Sequence, residues 1–299
     1  MASGIWCSTL LAPTRHDSYG SIQNTCCQSC APSSAEGRAA DATIMAANLQ
    51  LISVPQMPLV APGDDLAAMI LRCLANAGLA LEHHDVVVLA QKIVSKSEDR
   101  FVDLATVTPS AAAAALARET GKDARLVELI LSESRRVVRS GWDVLIVEHR
   151  LGFVMANAGV DQSNVAEAGG GERALLLPVN PDASAERLRQ DLTQRAGCEV
   201  AVIINDSFGR PWRLGTVGVA IGCAGLPSLL DLRGTPDLFG RTLRVTQVAY
   251  ADEIAAAASL LMGQADEARP VVILRGLAPL ANPLPASTLL RPPGEDLFR

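Results

Sequence analysis

The side chains best suited to chemistry lie in one segment, residues 205–222, which reads NDSFGRPWRLGTVGVAIG. It follows residues 200–204, an apolar and β-branched run that predicts a buried strand. We therefore expect Asp206 and Ser207 at the C-terminal end of that strand. Because hard cations bind oxygen ligands, this carboxylate and hydroxyl would form half of a site for Mg²⁺ or Mn²⁺.

The same segment carries cationic and aromatic side chains. Arg210 and Arg213 could clamp phosphate or carboxylate oxygens, since a guanidinium presents a planar fork of donors. Trp212 would either stack on an aromatic ligand or anchor the loop. The competing interpretation of the segment is an Asp-capped turn with solvated arginines. The segment also contains four glycines, which would allow the backbone to approach a ligand closely or to adopt a positive φ. They are Gly209, Gly215, Gly218 and Gly222.

A second polar segment, residues 157–164 (NAGVDQSN), follows the apolar residues 152–156. Asp161 could supply a second metal carboxylate, and Asn164 could hydrogen-bond a nucleotide or phosphate oxygen. Taken alone, an Asp and two Asn in a glycine-containing loop are more often turn chemistry than ligands.

A third polar segment, residues 91–96 (QKIVSK), follows the strand-like residues 86–90. Lys92 and Lys96 could contact phosphates as point charges, although two such lysines also fit a solvated face. The chain has neither a Walker lysine motif nor a G-x-G-x-x-G that opens a helix after a strand. A nucleotide would therefore bind in a site unlike either common template.

In this order, the three segments resemble the coenzyme F420-0:L-glutamate ligase family, enzymes that add glutamates to a deazaflavin coenzyme through γ-linked amide bonds. The resemblance runs from about residue 51 to residue 275. Three more segments carry it: PGDDLA at 62–67, DLRGTPDLFGR at 231–241 and ADEIAAAASLLMGQADE at 251–267.

The resemblance implies roles for individual residues. It makes Asp161, Asp206 and Ser207 divalent-metal ligands, together with Gln264, which stands where some members carry Glu. It makes Asp161 and Asp206 catalytic, with Arg213 as the arginine that neutralises charge during phosphoryl transfer. The implied nucleotide-binding residues are Met57, Pro58, Leu59, Val60, Gln91, Lys92, Lys96, Asn164, Met262, Gly263 and Gln264.

The resemblance also implies a reaction and its ligands. GTP would phosphorylate a carboxylate of F420-0, and the amine of L-glutamate would attack the resulting acyl phosphate. Two Mg²⁺ or Mn²⁺ ions would serve this transfer, and the resemblance also allows for a monovalent cation. Two other interpretations stay open: a noncatalytic deazaflavin or nucleotide carrier, and a ligase of the same fold that uses ATP or another acceptor.

Strand-like and helix-like segments alternate along the chain, which predicts an α/β fold of mixed α+β character. Crossovers are mixed with hairpin-like neighbours, so we expect mixed sheets and neither a Rossmann nor a P-loop fold. The resemblance implies a fold peculiar to the family, assembled as an intertwined homodimer. Helices are predicted at 64–77, 110–120, 123–132, 185–196 and 252–263. Strands are predicted at 86–90, 144–149, 152–156, 200–205, 243–248 and 271–275.

Composition limits the classes of function. With 299 residues, of which 49% are hydrophobic, the chain can bury a large core. A net charge of -6 argues against nonspecific binding of nucleic acid. There is no run of 18 apolar residues, so we expect no membrane span and place the protein in the cytoplasm.

The domain organisation follows from where the resemblance begins. We expect a ligase domain over residues 46–299, which could consist of two interleaved lobes. Residues 1–45 carry four cysteines and little periodic pattern, and we interpret them as a disordered leader or as sequence before a true start at Met45. The other cysteines, Cys73, Cys198 and Cys223, are typical of small buried side chains in a reducing compartment.

Overall fold

A computed structural model of the chain describes residues 48–163 and 172–296. The predicted leader and Asn164 lie outside these ranges. The strands are β1 (Gln50–Ser53), β2 (Val86–Ala90), β3 (Phe101–Asp103), β4 (Ser134–Gly141), β5 (Val144–His149), β6 (Val154–Ala156), β7 (Arg173–Leu175), β8 (Ala201–Arg210), β9 (Arg213–Ala224), β10 (Leu230–Asp231), β11 (Gln247–Val248) and β12 (Val271–Arg275). The α-helices are α1 (Leu66–Asn76), α2 (Gln91–Ser97), α3 (Ala111–Thr120), α4 (Ala124–Ser132), α5 (Pro181–Ala196) and α6 (Tyr250–Met262).

The central sheet has five strands in the order β1-β12-β2-β8-β9. Strands β2 and β8 run parallel, whereas the other neighbouring pairs in this sheet are antiparallel. The prediction of a mixed α+β fold is thereby confirmed, because a doubly wound fold would need a run of parallel strands.

Helices cover both faces of the central sheet. Along β8, Val202 and Ile204 pack into one hydrophobic core, which also includes residues of α1 and α5. Ala201 and Ile203 point the other way, into a second core built with α6. Successive side chains of a strand point to opposite faces, so this alternation tells us which face each following residue of β8 occupies.

A third hydrophobic core lies outside the central sheet. It joins helices α3 and α4 to the three-stranded sheet β4-β5-β6, with Leu104, Ile130 and Leu145 fully buried at its centre. In the residues that the structure describes, no helix is long and apolar enough to cross a lipid bilayer.

Most predicted elements are confirmed, three of them with the predicted bounds: the strands at 86–90, 144–149 and 271–275. The five predicted helices occur with ends shifted by a few residues. The strand predicted at 243–248 is wrong over most of its length, since only Gln247–Val248 pairs, with β10.

The largest correction concerns the candidate catalytic segment. The strand predicted to end at Asn205 continues to Arg210, so Asp206 and Ser207 lie within the strand and not at its end. The glycine-rich residues that follow form β9 and pair with β8 from Arg210↔Arg213 to Val202↔Ala224. Cross-strand pairing and packing against helices override the weak strand propensity of glycine and aspartate here.

Gly218 is one of the four glycines for which we expected close approach to a ligand or a positive φ, and in the structure it packs against helix α6. A Cβ atom at Gly218 would lie 2.2 Å from Ser259 Oγ and 2.5 Å from the backbone oxygen of Ala255. The absence of a side chain therefore allows helix α6 to pack directly on β9.

Gly218→Ala is expected to destabilise the fold by about 2–3 kcal/mol, because the added methyl group must push the helix away from the sheet. Gly209→Ala is the matched control, since no atom lies within 4 Å of a Cβ at Gly209 in β8. Urea unfolding of both variants checks this difference, and equal stabilities would contradict the close packing of α6.

Candidate functional site

A cavity of about 570 Å³ lies at the C-terminal end of β2. The last residues paired between β2 and β8 are Ala90 and Asn205. Strand β2 then turns into α2, whereas β8 continues beside β9. Asp206 and Ser207 therefore lie beyond the last residue pair between β2 and β8, and both line the cavity. Carboxyl ends of parallel strands are where open α/β sheets bind their ligands.

The cavity gathers most of the residues singled out in the sequence. Its lining combines the end of β2, the start of α2, strand β8, the connection between β1 and α1, and the loop of residues 263–270 between α6 and β12. The predicted site residues in the lining are Met57, Pro58, Leu59, Val60, Gln91, Lys92, Lys96, Asp206, Ser207, Met262, Gly263 and Gln264. Their individual roles stay predictions.

Asp161 joins this group through Lys92. Lys92 Nζ lies 2.7 Å from Asp161 Oδ2 and 2.8 Å from Ser163 Oγ. The backbone N–H and the hydroxyl of Ser163 both donate to Asp161 Oδ1 at 2.7 Å, which fixes the carboxylate. Asn157 and Ala158, just before it, adopt positive φ angles of 53° and 51°, so the chain turns sharply into this position.

Among the carboxylates that the structure describes, Asp206 has the pKa shifted furthest from its ordinary value. Burial raises its pKa to about 7, and the nearby charge of Asp161 adds to the increase, while the Ser207 N–H and Lys92 oppose it. Its Oδ1 accepts a 2.8 Å hydrogen bond from that N–H. A bound cation would remove the cost of charging this carboxylate, which fits a metal position.

Ser207 points to the opposite face of the sheet from Asp206, and there it contacts Gln264. Ser207 Oγ donates to Gln264 Oε1 at 2.7 Å, on the side of β8 that faces α6. Gln264 follows Gly263, which ends α6 with φ 72° and whose Cβ would lie 2.0 Å from the Glu267 carboxyl carbon. Only glycine fits there, so the loop turns immediately and brings Gln264 to Ser207.

The available donors fit a hard divalent cation. The described residues contain no group of three or more His, Cys, Asp and Glu side chains placed to hold a metal ion, so a cation here would also need hydroxyl or amide oxygens. The carboxylates of Asp161 and Asp206, the hydroxyl of Ser207 and the amide oxygen of Gln264 are all oxygen donors, the type that Mg²⁺ and Mn²⁺ prefer.

The lysines supply positive charge at the cavity wall. Partial burial lowers the pKa of Lys96, and the neighbouring charge of Lys92 lowers it further, although Asp161 partly compensates. Gln91, also in the wall, is buried and accepts a 2.9 Å hydrogen bond from Ser95 Oγ. An anion bound here would relieve the repulsion between the two lysines.

The arginines lie away from this group. Arg210 and Arg213 pair beside the turn of the β8–β9 hairpin, and neither lines the cavity. Arg210 is three residues beyond Ser207, about 10 Å along the strand. Trp212 forms the turn with φ 64°, is 90% exposed and does not line this cavity, and its stacking on an aromatic ligand stays a prediction.

Phe101 and Asn205 are among the residues of the cavity wall that received no predicted role. Phe101, the first residue of β3, places an aromatic side chain in the cavity wall. Asn205 stood in the NDS motif but received no role, because an amide beside two better oxygen ligands gives no distinctive signal. The resemblance also implies a metal and nucleotide loop at residues 262–269 (MGQADEAR), and these residues line the cavity together with Pro270.

The raised pKa of Asp206 predicts how stability depends on pH. The native state holds this proton more tightly than the unfolded chain, whose aspartate carboxyl has its ordinary pKa of 3.8. Metal-free protein should therefore lose stability as pH rises from about 4 to about 7, by roughly 2–4 kcal/mol from this group. Urea unfolding across that range checks it, and Asp206→Asn should lack this part of the slope. An identical pH dependence in the variant would contradict the shift.

The fold and the cavity define a mixed α+β enzyme scaffold with an oxygen-rich, lysine-flanked site at the end of a parallel strand pair. The chain belongs to the F420-0:Gamma-glutamyl ligase family, whose profile matches residues 55–276. The resemblance seen in the sequence is thus confirmed.

Curated relatives agree with this family. A coenzyme F420:L-glutamate ligase of Methanothermobacter thermautotrophicus is 48% identical over 253 residues, covering 84% of this chain and 99% of that protein. One of Methanopyrus kandleri is 46% identical over 255 residues, covering 84% of this chain and 98% of that protein. One of Archaeoglobus fulgidus is 39% identical over 251 residues, covering 84% of this chain and 96% of that protein.

Proposed function

We propose that this protein is a GTP-dependent, GDP-forming ligase that adds L-glutamate to coenzyme F420-0 through γ-linked amide bonds. The observation that carries the proposal is the meeting of Lys92, Lys96, Asp206 and Gln264 in the wall of one cavity, with Asp161 paired to Lys92. The names of the curated relatives support the acceptor and the amino acid.

The proposed reaction has two transfers. A carboxylate oxygen of F420-0 attacks the γ-phosphorus of GTP, and the bond to GDP breaks. The amine of L-glutamate then attacks the acyl carbon, phosphate leaves, and the amine proton goes to solvent. This chain's lysines would hold the phosphates and neutralise charge that builds up during transfer.

Mg²⁺ or Mn²⁺ would be held by Asp161, Asp206 and Ser207, with Gln264 beside them. When bound, two such ions supply neutralisation of the phosphate oxygens. The protein's part is to keep the carboxylates in place: Ser163 donates twice to Asp161, and the Ser207 N–H donates to Asp206. The cavity, of about 570 Å³, has room for part of a nucleotide and its acceptor.

The ligase proposal is tested by mass spectrometry of F420-0 incubated with the protein, L-glutamate, GTP and Mn²⁺, with ATP as the control nucleotide. We expect added masses of glutamyl units that require GTP and metal. Activity with ATP alone would change the nucleotide assignment. Saturable GTP binding without added mass would favour the noncatalytic carrier, and a changed acceptor would then be tested by substituting other carboxylates.

We also propose a homodimer in the cytoplasm. Free and buried Cys73, Cys198 and Cys223 suit a reducing compartment. Five large apolar side chains of the hairpin and the segment after it are at least 85% exposed, which is unusual for a monomer. They are Trp212, Leu214, Leu238, Phe239 and Val245.

Leu214→Glu is expected to convert the dimer to monomer, because Leu214 is 100% exposed in this chain and a buried unpaired carboxylate at an interface is costly. Light scattering after size exclusion measures the mass of the particle. Val179→Glu is the control, an exposed apolar residue outside the hairpin region. A monomeric wild-type protein would contradict the proposal directly.

A further inference from the structure

Asn205 lies between the two elements that carry candidate metal ligands, strand β8 and the end of helix α6. It is the last residue of β8 that pairs with β2, and it directly precedes Asp206 and Ser207. Its side chain is 5% exposed and forms part of the cavity wall. By the alternation along β8, it points toward α6, on the same face as Ser207.

The amide of Asn205 ties β8 to the last turn of α6. Its Nδ2 donates to Ser259 Oγ at 3.0 Å and lies 3.4 Å from Met262 Sδ. Ser259 Oγ itself donates to the backbone oxygen of Ala255, so it accepts from Asn205 with a remaining lone pair. These contacts hold the helix end immediately before Gly263 and Gln264.

The other end of the same amide is unsatisfied. Asn205 Oδ1 is buried and accepts no hydrogen bond within the described residues. It is confined beside Gly218, whose Cβ would lie 2.7 Å from it. An unpaired buried oxygen destabilises the fold, and an aliphatic side chain would avoid that cost. The hydrogen bond to α6 is therefore the reason we infer for an asparagine at this position.

A second connection runs parallel to the first. Ser207, two residues further along β8, reaches Gln264 at 2.7 Å. The Asn205 contacts therefore fix the end of α6 against β8, and the Ser207 contact fixes the start of the following loop. Without the first, the position of Gln264 would depend more on the hydrogen bond between two side chains that are themselves candidate ligands.

We propose that Asn205 is a positioning residue, which holds the end of α6 so that Gln264 is kept at the candidate metal site beside Ser207 and Asp206. Asn205 does not itself contact the cation or the nucleotide. The inference rests on the proposed function, because it concerns the same metal site. Residues that orient metal ligands typically change metal affinity by 10–100-fold when they are mutated.

The test is titration of the full-length protein with Mn²⁺ alone, with free Mn²⁺ measured by electron paramagnetic resonance. Asn205→Ala is expected to weaken Mn²⁺ binding about 10-fold or more. Ser259→Ala leaves Asn205 in place and removes one of its partners, so a smaller loss in the same direction is expected. Ser228→Ala is the structural control, since it removes a buried 2.6 Å hydrogen bond to Pro285 with no group in the cavity.

A double-mutant cycle with Gln264→Ala separates positioning from general damage. If Asn205 acts through Gln264, Asn205→Ala should weaken Mn²⁺ binding little further in the Gln264→Ala background. Independent, multiplying losses would overturn the proposal, as would unchanged Mn²⁺ affinity in Asn205→Ala. Wild-type protein that binds no Mn²⁺ would overturn the metal site of the proposed function, a failure visible before any variant is compared.

Discussion

Asp206→Asn is expected to lower ligase turnover by at least about 10³-fold, which corresponds to about 4 kcal/mol of lost transition-state stabilisation. The amide keeps the shape of the carboxylate but cannot supply its negative charge to a cation. Product formation by mass spectrometry and GDP release measure the loss. Circular dichroism and thermal unfolding measure whether the fold is kept.

The same substitution should not destabilise the metal-free protein at pH 8. Wild-type Asp206 must carry its charge there at a cost, because burial has raised its pKa to about 7, whereas Asn is neutral. Asp143→Asn, which removes an exposed carboxylate paired with Lys122, is the control and should keep full turnover. Near-normal turnover in Asp206→Asn with metal still required would refute the role of Asp206.

Asp161→Asn is expected to lower turnover by about 10²–10³-fold. Two changes combine: one metal carboxylate is lost, and Lys92 loses the partner that lies 2.7 Å away. Initial rates at several Mn²⁺ concentrations would show the loss and whether excess metal restores part of it.

A second measurement distinguishes this substitution from a simple packing defect. The charge of Asp161 contributes to the raised pKa of Asp206, so removing it should lower that pKa. The pH at which metal-free protein stops losing stability should therefore shift downward from about 7. An unshifted profile would mean that the two carboxylates do not interact, and the shared cation site would be abandoned.

The sequence predicts the buried strands of this fold well, for a physical reason. Strands β2 and β12 each begin with three consecutive β-branched residues followed by Leu, and such continuous apolar runs are typical of strands buried on both faces. Strand β9 was missed because its glycines serve packing against helices, as at Gly218, and a local pattern contains no information about a helix packed on that strand. The extension of β8 was missed for the same reason, since its pairing partner was not recognised.

The residues of the site were predicted from sequence motifs and the family resemblance, and not from the predicted helices and strands. Residues far apart in the chain, such as Met57, Lys96 and Gln264, meet in one cavity, and the family resemblance had grouped them. What remained hidden were contacts between elements. The hydrogen bonds of Asn205 to α6 depend on the exact rotation of that helix against β8, which no spacing in the sequence encodes.

The continuation of β8 past the end of β2 has a consequence for how this chain can vary in length. Asp206 and Ser207 occupy opposite faces of one strand, and a shift of one residue reverses every face. A single-residue insertion within residues 201–205 would exchange the positions of carboxylate and hydroxyl and separate Ser207 from Gln264. Beyond residue 207, a change in the length of the hairpin moves neither side chain, but it would move Trp212 and Leu214, which we propose for the dimer interface. Variation in length among homologous chains should therefore be absent from the first half of β8.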